Sequence, residues 1–212
     1  MSVHSVRAFV SGLSVAAVMG GAGSARGVII DFESVVPGTA ADGLVVGDAT
    51  FETSSLPVFL GDPEIITDNT QFMYLSDHFL IGTASAGNFL GVDFAQPVTG
   101  ISFGFAGPIG LPEPLNASVT LYDANSQIIG VYSFDTDTLT FDMYGSNANV
   151  LEGLADMTGV GTPVSRMEVI FTFSLPFSQS YKFDNLSYTP IPAPSALAVA
   201  FIGAPVLLRR RR

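Results

Sequence analysis

The chain of 212 residues predicts an all-β fold. The expected architecture is a single antiparallel β-sandwich of jelly-roll type, flanked by an N-terminal signal helix and a short C-terminal apolar helix. Three observations carry that expectation. Apolar residues recur with a period of two in several short runs, which places one face of each run in a core. The 22 glycines and 13 prolines punctuate those runs as turn residues do. No long stretch between the two ends keeps a helical repeat, and no internal repeat of fixed period is visible, which argues against a propeller or a solenoid.

Residues 1–26 read as a secretory signal peptide. "MSVHSVR" is a short polar start with one cation, "AFVSGLSVAAVMGGAG" is an apolar, small-residue run, and "GSARG" supplies the small residues of a cleavage site near Ala25. The chain has no cysteine, so the exported fold uses no disulfide, and its stability must come from its core or from bound ions.

Residues 27–190 read as the sandwich. "GISFGFAG" sets Ile101, Phe103 and Phe105 against Ser102 and Gly104, and "RMEVIFTFS" sets Met167, Val169, Phe171 and Phe173 against Glu168, Ile170 and Thr172. "ASVTLYDANSQIIGVYSF" carries Val119 and Leu121, then the turn-forming "DANS", then a second apolar run ending at Phe134, which together make a hairpin signature. Further strands are expected in "GVIIDFE", "NFLGVDF", "TLTFDMY" and "YKFDNLSY". The "DTD" at Asp135 and Asp137 reads as a solvated turn.

Residues 191–212 form the tail. Ala196 to Leu208 are thirteen residues without a charge. As a helix they reach about 20 Å, at roughly 1.5 Å per residue, which is short for a hydrocarbon core about 30 Å thick. Flanking residues and snorkelling arginines help such a segment to span. Arg209, Arg210, Arg211 and Arg212 would stay on the cytoplasmic side and leave the body outside.

Charge narrows the function. Between the two ends only Arg166 and Lys182 face all nineteen Asp and Glu residues, a net charge of −17. So acidic a body repels phosphate backbones, and no nucleic-acid partner is expected. Catalytic constellations are scarce as well. Of the two histidines, His4 leaves with the signal peptide, and His78 in "LSDHFLIG" reads as a loop or strand-edge residue. The nearest nucleophile-elbow string, "IGTASAG", has Thr83 where the pattern requires glycine. Nineteen carboxylates permit a glycosidase pair without indicating one. Glycans are usually held on aromatic faces. The chain has no tryptophan, so its platform candidates are Tyr74, Tyr122, Tyr132, Tyr144 and Tyr181.

Taken as an arrangement, the tail resembles the PEP-CTERM sorting signal. Pro192, Ala193, Pro194 and Ser195 precede the apolar helix and the arginine cluster, behind a signal peptide on a cysteine-free chain. Ala193 stands where the family has glutamate. The resemblance covers roughly the last two dozen residues. It implies recognition at the inner membrane by an exosortase, removal of the tail, and delivery to the cell surface or extracellular matrix. "VIIDFES" and "YKFDNLSY" resemble the first and last strands of exported jelly rolls related to carbohydrate-binding modules, in which acidic residues on the terminal strands hold a structural calcium ion. The matching positions are Glu33 and Asp184, with Asp31 and Asn185 as secondary candidates because strand alternation sends neighbours to opposite faces.

The expected function is therefore a non-enzymatic structural or adhesive protein of the cell surface or matrix. The alternative is a glycan-binding, lectin-like module for extracellular polysaccharide. An exposed tyrosine pair on a concave sheet would favour the second, and a flat acidic face the first.

Overall fold

The computed structural model describes residues 26–54, 62–67, 72–85, 87–108, 114–141, 149–173 and 179–192. Both targeting segments read from the sequence lie outside this set, apart from their innermost residues. Ala25–Ala193 is one compact unit. Its described residues form twelve strands: β1 (Val28–Ile30), β2 (Val45–Val46), β3 (Ala49–Thr53), β4 (Glu64–Thr67), β5 (His78–Ala84), β6 (Leu90–Ala106), β7 (Leu115–Tyr122), β8 (Ile128–Asp135), β9 (Thr138–Phe141), β10 (Asn149–Met157), β11 (Val164–Phe173) and β12 (Gln179–Pro190). All pairings are antiparallel.

β6 organises them. Its first part, Leu90 to Phe94, pairs with β3 on one side and β11 on the other. Its last part, Ile101 to Ala106, pairs with β10 and β12. The sheet thus folds over on β6 into two layers, β2-β3-β6-β11-β7-β8 and β4-β5-β12-β6-β10-β9, with β1 added to the far end of β12. "NFLGVDF" and "GISFGFAG" are the two halves of this one strand. Between them lie Pro97, which cannot donate to a ladder, and Gly100 at φ 60, where a side chain would be strained. The register of β11 shifts between Val164 and Arg166 at the same bend.

The core lies between the layers. Ile101, Phe103 and Phe105 from β6, Met167, Val169 and Phe171 from β11, and Val119 and Leu121 from β7 are all buried, as their alternation predicts. Rings join the layers: Phe51 of β3 sits 6.3 Å from Phe183 of β12, and Phe171 of β11 stacks on Tyr181 of β12 at 4.1 Å. Each such ring removed from water contributes roughly 1.5–3 kcal/mol. The β7–β8 hairpin turns at "DANS" as expected, with Asp123 Oδ1 accepting the backbone N–H groups of Asn125 and Gln127.

Two local readings change. β1 ends at Ile30, because the buried Phe32 adopts φ 54 and turns the chain out of the extended conformation, so Glu33 lies beyond the strand. β2, β3, β4, β5 and β10 are strands that the sequence pattern does not predict. β10 runs "NVLEGLADM" and interrupts its apolar pattern with a carboxylate that the fold buries.

Candidate functional site

The two layers present different outer faces. That of the β4-β5-β12-β6-β10 layer is covered by residues 72–77, which pass directly over β6. A Cβ on Gly104 would come within 2.1 Å of the Tyr74 carbonyl oxygen, so only glycine lets this crossing lie flat. Two buried carboxylates hold the strip. Glu152 of β10 accepts the N–H groups of Met73 and Tyr74, each at 2.9 Å. Asp184 of β12 accepts the Ser76 N–H at 2.6 Å and the Ser76 hydroxyl, and Asn185 Nδ2 donates to the Tyr74 carbonyl at 2.9 Å. Beneath the strip Leu75, Phe79, Ala106 and Val150 form a second small core. The Lys182 ammonium lies 4.5 Å from the Phe72 ring centre and 5.1 Å from that of Phe79.

The four expected calcium residues are brought to this neighbourhood but not into one cage. Glu33 turns to His78: its Oε1 accepts the His78 N–H at 3.1 Å, and its Oε2 stands 4.0 Å from Nδ1. Asp31 instead stands by Asp184. The Asp31 carbonyl is 3.2 Å from the Ser76 hydroxyl, and its charge adds to the rise in the Asp184 pKa. Burial is the main cause of that rise, which reaches about 6 against the opposing hydrogen bonds from Ser76. The alternation argument for Asp31 and Asn185 fails because Phe32 and Asn185 both have positive φ and break the extended period. Among the described residues the buried Asp184 Oδ1 has no hydrogen-bond partner within ordinary geometry, although the Asn185 backbone N–H also favours the ionised carboxylate. An anionic oxygen in that condition fits a hard cation. Among the described residues no three His, Cys, Asp or Glu side chains cluster closely enough to hold a metal. Asp184 and Asp31 are the two carboxylates that lie near each other here, with the Asp31 carbonyl accepting from the Ser76 hydroxyl.

The outer face of the β2-β3-β6-β11-β7-β8 layer carries a different constellation. The cross-strand register places Glu52, Asp93, Arg166, Glu168 and Tyr122 side by side. Arg166 reaches Glu52 at 2.7 Å, Asp93 at 2.7 Å and Glu168 at 3.0 Å, and the Tyr122 hydroxyl donates to Glu168 Oε2 at 2.8 Å. Gly91 makes room, since a Cβ there would come within 2.9 Å of Nη2. Desolvation works against the charge of the guanidinium, but its three carboxylate partners outweigh it and raise the Arg166 pKa. Burial and the bond to Glu168 raise that of Tyr122. Further along the same face, Asn116 Nδ2 donates to Ser133 and Asp135, beside a cleft of about 390 Å³ lined by Pro114, Asn116, Asp135, Thr172 and Phe173. The six residue steps from Arg166 to Thr172 on β11 span roughly 20 Å.

The other singled-out residues separate cleanly. Tyr181 is buried, Tyr132 faces inward and stacks with Phe134, and Tyr74 lies on the covering strip. Of the four candidate tyrosines that are described, only Tyr122 stands on the open face; Tyr144 lies outside the described residues. His78 opens β5, with Nδ1 3.3 Å from the Phe32 carbonyl, and Thr83 of "IGTASAG" is buried within that strand. Pro192 ends the described chain; Ala193, Pro194, Ser195 and Arg209 to Arg212 lie outside it. Sequence reasoning missed the Arg166 cluster, Glu152 and Ser76. The signal available for the first was Arg166 itself, one of two cations in an acidic body.

No protein-family model matches the chain, and no curated protein matches it in sequence. Several solved structures show a distant likeness. A carbohydrate-binding module described for specific mannan recognition is 12% identical, with 79% of this chain and 100% of that one covered, at a TM-score of 0.42. The binding-module and catalytic portion of a Clostridium thermocellum xylanase, complexed with xylohexaose, is 12% identical over 79% of this chain at a TM-score of 0.41. The enzymatically active domain of a bacteriophage CBA120 tailspike is 12% identical over 68% of this chain at a TM-score of 0.36. The chain spans 28% of the xylanase chain and 20% of the tailspike chain. At these scores a functional argument has to come from the chain's own residues.

Proposed function

We propose that the chain is an exported, non-enzymatic module of the cell surface or extracellular matrix that binds polysaccharide along the open outer face of its β2-β3-β6-β11-β7-β8 layer. The observation that carries this reading is the Arg166 constellation. Five polar side chains with fixed partners stand on a sheet face that is partly exposed among the described residues, in line with a cleft at the other end of the same strands. Sugar hydroxyls are matched by such alternating donors and acceptors, and the cleft falls within the ~300–1,000 Å³ range of small-molecule sites. Tyr122 supplies an aromatic body on the face, and the partly buried Phe89 ring lies 5.9 Å from the Arg166 guanidinium. A glycan array on the purified chain, followed by affinity electrophoresis in the polysaccharide that scores, tests the reading. Retarded migration of the wild type, lost in Arg166→Met and weakened in Asn116→Ala, is expected; an array without a hit removes it.

Export rests on the two charged-apolar end segments. The signal peptide, the exosortase and passage through the inner membrane are part of the same proposal. The intact mass of protein recovered from the producing cells checks it, since a full-length species contradicts processing at either end.

A second reading is favoured by Asp184 Oδ1, a buried oxygen without a hydrogen-bond partner among the described residues. In this reading structural calcium is held by Asp184 and Asp31 with backbone carbonyls, tying the segment after β1 to β12. The ion would supply charge neutralisation at a desolvated carboxylate.

A further inference from the structure

We propose that β8 is a homotypic docking edge, by which two copies of this chain pair antiparallel and join their β2-β3-β6-β11-β7-β8 layers into one continuous sheet. Among the described residues β8 has a strand partner on one side only, β7. The other outer strands are short: β1 has three residues, β2 two, and β4 and β9 four each, whereas β8 has eight. Long open edges are normally blunted by charge, proline or a bulge because they are templates for pairing. From Ile128 to Phe134 β8 carries neither charge nor proline, and its one register irregularity, at Ile129, lies at the end next to the hairpin turn, leaving Gly130 to Asp135 regular.

The backbone is oriented for pairing. Thr136 N–H donates to the Leu115 carbonyl at 3.0 Å, which continues the β7–β8 register as a hydrogen-bonded pair. Alternation then directs the N–H and C=O groups of Phe134 and Tyr132 toward β7, and those of Val131, Ser133 and Asp135 toward the open edge. The side chains of Val131, Ser133 and Asp135 are exposed, Val131 at 63%. Ile128, beyond the irregularity at Ile129, is 62% exposed as well. Ile129, Tyr132 and Phe134 face the core yet are only partly buried, so the sandwich is incompletely closed along this strand.

Charge selects the partner. The body is strongly acidic, and two copies repel over most of their surface. The uncharged run Ala124 to Phe134 is where they can approach. A two-fold axis near Tyr132 sets the two Asp135 carboxylates at opposite ends of the new ladder, roughly 20 Å apart at about 3.3 Å per residue. The strand is thereby complementary to itself.

Because the chain lacks cysteine, a single nitroxide can be placed at will. The full chain in mild detergent is labelled at Ser133→Cys on β8, or at Val45→Cys on the distant β2, and inter-label distances are read by double electron–electron resonance. The proposal expects a population shorter than about 25 Å for the Ser133 label, since paired strands lie about 4.8 Å apart, and none for Val45. Adding Val131→Lys abolishes that population by charge. Val131→Pro, examined in the same way, abolishes it by deleting an edge donor. Absence of a short distance at Ser133, short distances at both labels, or persistence through both changes at Val131 overturns the proposal.

Discussion

Asp184 and Ser76 are 108 residues apart in the chain, and the Asp184 Oδ2 receives both the backbone N–H and the hydroxyl of Ser76. That contact fastens the strip over the outer face of one layer to the last strand, and it does so with a carboxylate that burial leaves reluctant to ionise.

In chelator, this carboxylate lowers stability as pH rises. Its folded pKa of about 6 exceeds the ordinary 3.8, so between those values the folded state binds more protons than the unfolded one. Stability from this group is then present below pH 4 and is lost as pH rises through 6. The full effect is on the order of 2–3 kcal/mol. Asp123 and Asp156, whose local hydrogen bonds hold them below the usual range, act in the opposite sense at the acid end. The informative quantity is therefore the wild-type unfolding free energy minus that of Asp184→Asn, measured by urea titration from pH 4 to 7. It should fall steadily across that range.

Calcium should reverse that slope. A bound cation favours the ionised carboxylate, so in millimolar calcium the same difference should rise with pH. At a hundredfold excess over the dissociation constant the gain is about 2.7 kcal/mol, or a melting-temperature increase of several degrees for a domain of this size. Scanning calorimetry in calcium and in chelator checks it. Superimposed curves would count against the second reading, and Asp184→Ala should erase most of the increase.

Gly104→Ala should lift the covering strip. The added methyl meets backbone rather than a movable side chain, and the cost should lie near the top of the ~1–3 kcal/mol range for overpacking. Glu152→Gln weakens charge-assisted bonds to the same strip by about 1–2 kcal/mol. Both should accelerate chymotryptic cleavage after Phe72 or Tyr74, read by mass spectrometry, before any global unfolding is seen.

Arg166→Met should separate binding from folding. Its carboxylate partners are themselves partly exposed, and exposed ion pairs contribute about 0–1 kcal/mol. The melting temperature should change by only a few degrees, while affinity for the retained polysaccharide drops at least about tenfold, the equivalent of ~1.4 kcal/mol.

The layers were legible in the sequence because alternation is a local property. Ile101, Phe103, Phe105, Met167, Val169 and Phe171 all point inward as their spacing predicts. β10 was not legible, since its buried Glu152 interrupts the apolar pattern and is satisfied by amides from a segment 78 and 79 residues away. The Arg166 cluster was hidden for a similar reason. Glu52, Asp93 and Glu168 become neighbours only through the registers of three different strands, which no short window of sequence contains. Positive φ at Phe32 and Asn185 likewise has no local signature, and it is what moves Asp31 rather than Glu33 beside Asp184.

The bend in β6 makes the two layers a single hydrogen-bonded object. In a sandwich whose sheets merely stack, one sheet can open while the other persists. Here, detaching either layer strips ladder bonds from the same strand, so partial opening gains little chain freedom for the contacts it gives up. Deuterium uptake should report this directly: the amides of Val92 and Phe105, on opposite sides of the bend, should exchange at one common rate set by whole-domain unfolding.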